Sequence, residues 1–364
     1  MMKKIISTIL SLALFWMQAG AQLQSVTIPN TQVQTITSSI VAEQEYQLFI
    51  SLPAGYQDAT KKFPVLYVLD GQWDFTLAYS IFGEQYFDGF IPGIIVVGIT
   101  WGGKNPNPDS LRTRDFTPTN VKYTPQSGGA PKFLSFIKNE LVPFIDSKYH
   151  TAKDERILMG SSLGGLFTLY ALFNETKLFN RYVLTSPAAG WDNEVIYTYE
   201  KNYFEKNKQL PAKLSMAIGG LEPGVNDFNK LVAHLQSRNY EGFQMDTRIL
   251  ENTGHSGGKA EGYTRGLQAV FAKPSLTITP ETLKQYAGTY TTASGNKIEI
   301  AVATDHLILK FPGGGSRTLN TETGTNFYVS GEFFFVDFKK DEKGGITGFW
   351  LKQFSGEQFL KKIN

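Results

Sequence analysis

The chain contains no cysteine among its 364 residues. That excludes disulfides, thiolate metal sites, a cysteine nucleophile and a lipobox anchor. Histidine is scarce at four residues, so any chemistry that needs an imidazole has few places to be. Charge is low (19%) and nearly balanced, 35 basic against 33 acidic side chains, while 41% of residues are hydrophobic. A disordered chain needs the reverse. Beyond the first twenty-odd residues no apolar run is long enough to span a bilayer. There is no low-complexity tract and no longer-period repeat.

Those first residues read as a leader. Lys3 and Lys4 form a positive start, Ile5 to Trp16 an apolar stretch, and Ala19-Gly20-Ala21 a small-x-small cleavage site before Gln22. This pattern predicts a secretory signal peptide, residues 1–21. Its apolar stretch falls short of the ~20 residues that a spanning helix needs, so no membrane span is expected after cleavage. The leader holds two lysines and no acid, which leaves 33 basic and 33 acidic side chains and no net charge. Charge therefore gives no support to a nucleic-acid partner. Export implies a periplasmic or extracellular protein whose core does without disulfides.

After the leader the grammar is first β and then α/β. Val33 to Ile40 and Gln44 to Leu52 alternate apolar and polar residues, as half-solvated strands do. Pro64 to Leu69 and Gly93 to Ile99 are short, almost wholly apolar runs, the mark of strands buried on both faces of a parallel sheet. Lys132 to Tyr149 carries an apolar stripe at helical spacing, and Pro143 inside it predicts a kink or an early end. Four strand–helix pairs follow: Arg156–Met159 with Leu163–Phe173, Tyr182–Thr185 with a helix beginning near Asp192, Leu214–Ile218 with Asp227–Arg238, and Thr247–Leu250 with Gly262–Phe271. Such alternation predicts a doubly wound, mostly parallel α/β sheet, with the two N-terminal strands antiparallel at one edge. Near Lys273-Pro274 the pattern breaks. Turn signals then recur every ten or so residues, between short runs such as Lys297–Val302, Leu307–Phe311, Phe333–Phe338 and Phe349–Phe354. The expected organisation is a signal peptide (1–21), an α/β domain (22–273) and a small antiparallel β domain (280–364).

Gly-x-Ser-x-Gly occurs twice, as Gly160-Ser161-Ser162-Leu163-Gly164 and as Gly254-His255-Ser256-Gly257-Gly258. A nucleophile elbow needs a buried strand, small residues around a very tight turn, and a helix starting at once. The first copy has all three, so Ser162 is the candidate nucleophile. The second is read as a glycine-rich loop with no adjacent helix, and Ser256 as a loop serine. A serine hydroxyl needs an imidazole to take its proton. His150 is expected to end the long helix and satisfy its terminal carbonyls, His234 to sit within a helix, and His306 to belong to the β domain. His255 alone follows the last strand of the sheet on a loop, where the carboxyl ends of parallel strands collect ligands and catalysts. The acid that orients it should lie between serine and histidine in chain order. Glu222, four residues past Ile218, fits best. Asp227 and Asp192 are rivals whose bland reading is helix capping, and the remaining alternative is no acid at all. An oxyanion hole needs two converging amides: Leu163 for one, and for the other Gln72, in a turn Leu69-Asp70-Gly71-Gln72 that Gly71 would permit. No metal or cofactor is called for.

Residues 43–271 resemble the esterase D / enterochelin-esterase-like family of α/β-hydrolases, which also includes feruloyl esterases and mycolyltransferases. The matching pieces are Leu52-Pro53-x-x-Tyr56, Tyr67-Val68-Leu69-Asp70-Gly71, Arg114-Asp115-Phe116-Thr117-Pro118, Glu140-Leu141-x-Pro143-Phe144-Ile145, Gly160-Ser161-Ser162-Leu163-Gly164-Gly165 and Gly254-His255, in family order. The resemblance implies an α/β-hydrolase fold, Ser162 as nucleophile, His255 as base and the Gln72 amide as oxyanion donor. The acid varies within the family, so Glu222 keeps its rivals. The β domain loosely resembles lipocalin-like modules appended to secreted bacterial hydrolases.

The expected activity is hydrolysis of a small-molecule or glycan-linked carboxylic ester by an exported serine esterase. Two substrate classes compete. Siderophore esters would want cations, for which Lys104, Arg112 and Arg114 are candidates; acyl groups on plant polysaccharides would want aromatic walls, for which Trp73, Trp101 and Trp191 are. A catalytically silent glycan- or envelope-binding protein on a hydrolase scaffold is the alternative, as is an acyltransferase using the same residues. The sequence is silent on oligomeric state.

Overall fold

The computed structural model describes residues 27–274 and 276–363. The signal-peptide assignment, residues 1–21, lies outside them. The first eight strands form one sheet: β1 (Thr31–Thr37), β2 (Glu45–Ser51), β3 (Phe63–Val68), β4 (Ile95–Trp101), β5 (Thr151–Ser161), β6 (Arg181–Thr185), β7 (Lys213–Gly219) and β8 (Gln244–Leu250). Their order is β1-β2-β4-β3-β5-β6-β7-β8. β2 runs antiparallel to β4, and every pairing from β4 through to β8 is parallel.

The apolar runs produce this sheet because both of its faces are covered. All seven residues of β4 are buried. In β3, Val65 and Tyr67 face one core, with Leu69 just beyond the strand on the same side. Leu66 and Val68, one step out of phase, are equally buried on the other face. That second face is covered by α1 (Gly71–Phe87) and, later in the chain, the helix Gly258–Val270, which pack on each other and on the sheet. The first face carries α2 (Pro108–Phe116), α3 (Ala130–Phe136), α4 (Val142–Lys148), α5 (Leu163–Asn174), α6 (Ile196–Lys206) and α7 (Val225–Ser237); the helix Gly258–Val270 is α8. Each large apolar side chain buried this way contributes roughly 1.5–3 kcal/mol, which is how a chain without disulfides is held together.

Several local expectations are revised. The helical run does not stop at Pro143. A π-turn, Ile137–Leu141, joins α3 to α4, and Val142 N donates to Ile137 O. The wider turn absorbs a residue that has no N–H and whose ring would clash with a normal helical carbonyl. The helix expected near Asp192 begins at Ile196; Trp191–Glu194 form a separate turn in which Asp192 and Asn193 take φ of 44° and 55°. α7 is preceded by Gly224, so Asp227 is its third residue and not its cap. His150 does not serve helix carbonyls: its ring stacks on Tyr56 at 5.0 Å. His234 pairs with buried Glu200 at 2.7 Å, beside Arg238 and Tyr240.

The C-terminal strands β9 (Gly288–Thr291), β10 (Lys297–Val302), β11 (Leu307–Lys310), β12 (Ser316–Thr321), β13 (Asn326–Tyr328), β14 (Phe334–Lys340), β15 (Ile346–Gln353) and β16 (Gly356–Lys362) close into an antiparallel barrel. Closure removes the edges that such short strands would otherwise expose. The interior is filled by aromatic rings: Phe338 lies 4.6 Å from Tyr286, 5.5 Å from Phe327 and 5.3 Å from Phe349. Eight antiparallel strands closed in chain order give it the barrel architecture that the lipocalin-like resemblance implied. Among the described residues no helix is long and apolar enough to cross a membrane.

Candidate active site

β5 ends at Ser161, and Ser162 turns the chain into α5 with φ 58° and ψ −118°. A non-glycine residue pays strain to sit there. Neighbours hold it in place: Ser162 N donates to Thr185 O at 3.1 Å, and its own carbonyl accepts from Ala188 N and Leu166 N. The flanking glycines are required by closeness. A Cβ on Gly160 would lie 2.7 Å from the Gly164 carbonyl carbon, and one on Gly165 3.0 Å from Pro187 Cα.

The turn before α1 abuts this elbow. Leu69 N donates to Met159 O at 2.9 Å, and Leu69 and Asp70 lie within contact reach of Gly164. The left-handed residue of the turn is Asp70, with φ 54°, and not Gly71 as the sequence suggested. Gly71 is small for another reason: a Cβ there would meet the Gly98 backbone at 2.8 Å. Gln72 and Leu163 both lie in first turns, of α1 and α5, where backbone N–H groups have no helical carbonyl to bond and the helix dipole favours negative charge.

Asp70 is buried and held bidentately by Arg112, at 2.9 and 2.8 Å. Arg114 grips buried Asp115, which also accepts from Tyr46 and from Trp101 Nε1. Two of the three candidate cations are therefore engaged in fixing loops. Trp101 is core and cannot wall a cleft. Trp73, next to Gln72, is 48% exposed, and Tyr123, 76% exposed, lies 6.3 Å from Trp191.

Glu222 and His255 are brought together. His255 Nδ1 and Glu222 Oε2 are 2.6 Å apart, while Glu222 Oε1 accepts from Ser186 Oγ at 2.6 Å and Gly219 N at 2.8 Å. Burial opposes ionisation of Glu222, but the hydrogen bonds from Ser186, His255 and Gly219, with the imidazole's charge, outweigh it and hold the carboxyl below its usual range. The two loops are also tied through their backbones: Leu221 N donates to Thr253 O and Gly220 N to Leu250 O. Gly219 permits this approach, since a Cβ there would sit 2.5 Å from Thr253 O. No hydrogen bond joins His255 to Ser162 Oγ in this structure; such bonds commonly tighten only when substrate binds.

The second Gly-x-Ser-x-Gly copy does run into a helix, because α8 starts at Gly258. It still differs from the first. Residues 251–253 separate it from β8, and the open loop 251–257 presents His255. Two features escaped the sequence reading. Ser186, which buttresses Glu222, has φ 46° and lies just past β6 with no motif around it. Asp74, buried on α1, accepts from Lys259 at 2.8 Å and Tyr263 at 2.8 Å on α8, so the helix after the Gln72 turn is braced against the helix after the His255 loop. No cluster of three or more His, Cys, Asp or Glu placed to hold a metal occurs among the described residues.

Comparison with known proteins agrees with this fold. Residues 38–220 match the family model described as "Putative esterase", and residues 272–362 match a "Domain of unknown function (DUF3471)". The chain is 34% identical to the ferri-bacillibactin esterase BesA of Bacillus subtilis (strain 168) over 226 residues, 56% of this chain and 74% of that protein. Among solved structures, the BES protein from Bacillus cereus aligns with TM-score 0.62 and 27% identity over 70% of this chain and 99% of that one. An IroE-like serine hydrolase from Shewanella oneidensis aligns with TM-score 0.59 and 26% identity over 70% and 85%. The chain belongs to the family of the "Putative esterase" model and is an esterase on an α/β-hydrolase fold, with a closed β-barrel domain at its C-terminal end.

Proposed function

We propose that this esterase is an exported serine enzyme that opens siderophore-type esters through an acyl-enzyme, with Ser162, His255 and Glu222 as its catalytic residues. The observation that carries the reading is the 2.6 Å pair of His255 Nδ1 with an ionised Glu222, on loops at the same end of the sheet as the strained Ser162 turn. Ser162 Oγ attacks the ester carbonyl carbon and its proton passes to His255 Nε2. Negative charge develops on the carbonyl oxygen, toward the amides of Leu163 and Gln72. The C–O bond breaks as His255 returns the proton to the leaving alcohol. Water then attacks the acyl-enzyme, gives its proton to His255, and the acid leaves as Ser162 is reprotonated.

The substrate class rests on the relatives, of which one is named a ferri-bacillibactin esterase and another, 29% identical, a triacetylfusarinine C esterase. With Arg112 and Arg114 paired, recognition falls to aromatic contacts from Trp73, Tyr123 and Trp191 more than to charge. A panel of catecholate trilactone, feruloyl, acetyl-xylan and short-acyl esters tests this. The trilactone is expected to give the highest kcat/KM. A preference of about tenfold for feruloyl or acetyl-xylan esters would reject the substrate class and leave the serine chemistry standing.

Ser186 is a positioning residue in this scheme. Ser186→Ala removes one of three hydrogen bonds to Glu222 and is expected to lower kcat roughly tenfold with KM unchanged, the effect of one charge-assisted bond acting through the imidazole. A shift in KM with kcat untouched would reject the positioning role.

A further inference from the structure

A cavity lies at the opposite end of the sheet from Ser162. It has a volume of about 590 Å³, is partly open to solvent, and is lined by the amino ends of β3, β5, β6 and β7 and the outer wall of the barrel. Glu155, on its rim, is seven residues before Ser162 along extended chain, so the two sites are roughly 20 Å apart. The barrel is seated there by aromatic contacts, Tyr86 with Phe333 at 5.2 Å and Phe87 with Phe354 at 4.5 Å. Gly89 fits against the Glu332 carbonyl, where a Cβ would come within 2.5 Å.

The lining is lopsided in charge. Lys61, Arg181, Lys213, Lys273 and Lys352 face two acids, Glu155 and Glu322. Arg181 is taken by Glu155 and lies 4.7 Å over the Phe271 ring, and Lys273 is taken by Glu322 at 3.3 Å. Lys213 has no carboxylate partner among the described residues; its Nζ donates only to Ala272 O, at 3.2 Å. Burial, together with repulsion from Arg181 and against the smaller pull of Glu155, pushes this ammonium below its ordinary value, and burial lowers Lys273 as well. Glu155, already paired with Arg181, offsets this only in part; a partly buried cation with no carboxylate of its own is costly, and an incoming anion would offset that cost. The walls beside it are rings, Phe271, Phe333 and Phe335, and the volume is that of a small organic ligand.

We propose that this interdomain cavity is a second ligand site, taking an aryl carboxylate whose anionic head meets Lys213 and whose ring lies among the phenylalanines of both domains. Inorganic phosphate would satisfy the charge and leave the rings unused. The site is separate from ester hydrolysis, so its test does not depend on the catalytic assignment.

Calorimetric titration of the full-length chain with 2-naphthoate is expected to show saturable binding, unchanged in Ser162→Ala. Lys213→Met should weaken it about tenfold or more, as loss of one charge-assisted contact does, while Lys213→Arg retains it. Neutral 2-naphthamide should bind about as poorly as 2-naphthoate does to Lys213→Met. Should Lys213→Met fail to fold, Lys213→Gln, which keeps a polar side chain and removes the charge, reads the same loss. Absence of saturable binding, full binding to the charge-removing variant, loss of binding in Ser162→Ala, or equal affinity for phosphate would each overturn the proposal.

Discussion

Replacing Ser162 with alanine is expected to lower kcat/KM on any accepted ester by at least about 10³- to 10⁴-fold, while the fold survives. Without the oxygen there is no acyl-enzyme, and the remaining amides and imidazole can only assist water. A fluorophosphonate should label the wild-type chain once, at Ser162, and leave the alanine variant unlabelled. The backbone supplies a second, independent readout. Ser162 sits at φ 58° and ψ −118°, a region that glycine enters without the clash a Cβ brings. Ser162→Gly should therefore be as inactive as the alanine variant and more stable than it, by roughly 1 kcal/mol of released strain. Denaturant titration of the two variants measures the difference. Full activity in Ser162→Ala would remove the nucleophile and with it the whole scheme, whatever the stability data show.

The contrast between the two Gly-x-Ser-x-Gly copies explains what could be read from the sequence. The first is legible because its constraints are local: a buried strand, a serine forced into a left-handed turn and a helix so close that a Cβ on Gly160 would lie 2.7 Å from Gly164 all fall within a dozen consecutive residues. The second is also followed at once by a helix, which no glycine-rich stretch advertises. What separates the copies is the open loop that presents His255, a tertiary fact. Glu222 was legible by position because carboxyl-end loops of parallel strands converge, but its rivals could be weighed only by where helices begin. Asp227 lies inside α7, and Asp192 in an irregular turn. Ser186 and the Asp74–Lys259–Tyr263 brace involve partners 36 to 189 residues apart, and no periodicity encodes such a pairing. In the barrel, β10 was readable from alternation, while β9, β12, β13 and β16 were not. Those strands are short or polar and are fixed by closure more than by their own propensity.

Glu222→Gln is the sharper test of the acid, because the side chain keeps its shape and loses only its charge and half of its accepting capacity. Glu222 now accepts three hydrogen bonds, from Ser186, Gly219 and His255. An amide can accept with one oxygen. If that oxygen keeps Ser186 and Gly219, the NH₂ faces His255 Nδ1 and forces the tautomer whose Nε2 carries the proton, which cannot act as base toward Ser162. If the amide flips, donors face donors at Gly219. Either way kcat/KM is expected to fall by about 10²- to 10⁴-fold, as loss of the orienting carboxylate does in serine hydrolases generally. Asp227→Asn and Asp192→Asn should stay within about twofold of wild type, since neither change disturbs a bond to the imidazole. The pH dependence of stability adds a signed check. The native carboxyl is held below its usual range. Its contribution is therefore complete above the ordinary carboxylate value and is lost as pH falls through the lowered native one. The gap in melting temperature between wild type and Glu222→Gln should accordingly be widest near neutrality and close on acidification. A wild-type rate in Glu222→Gln, or a loss of similar size in Asp227→Asn, would move the acid elsewhere. Unchanged labelling of Ser162 by fluorophosphonate in Glu222→Gln would show that the serine is activated without it, leaving a serine–histidine pair as the catalytic unit.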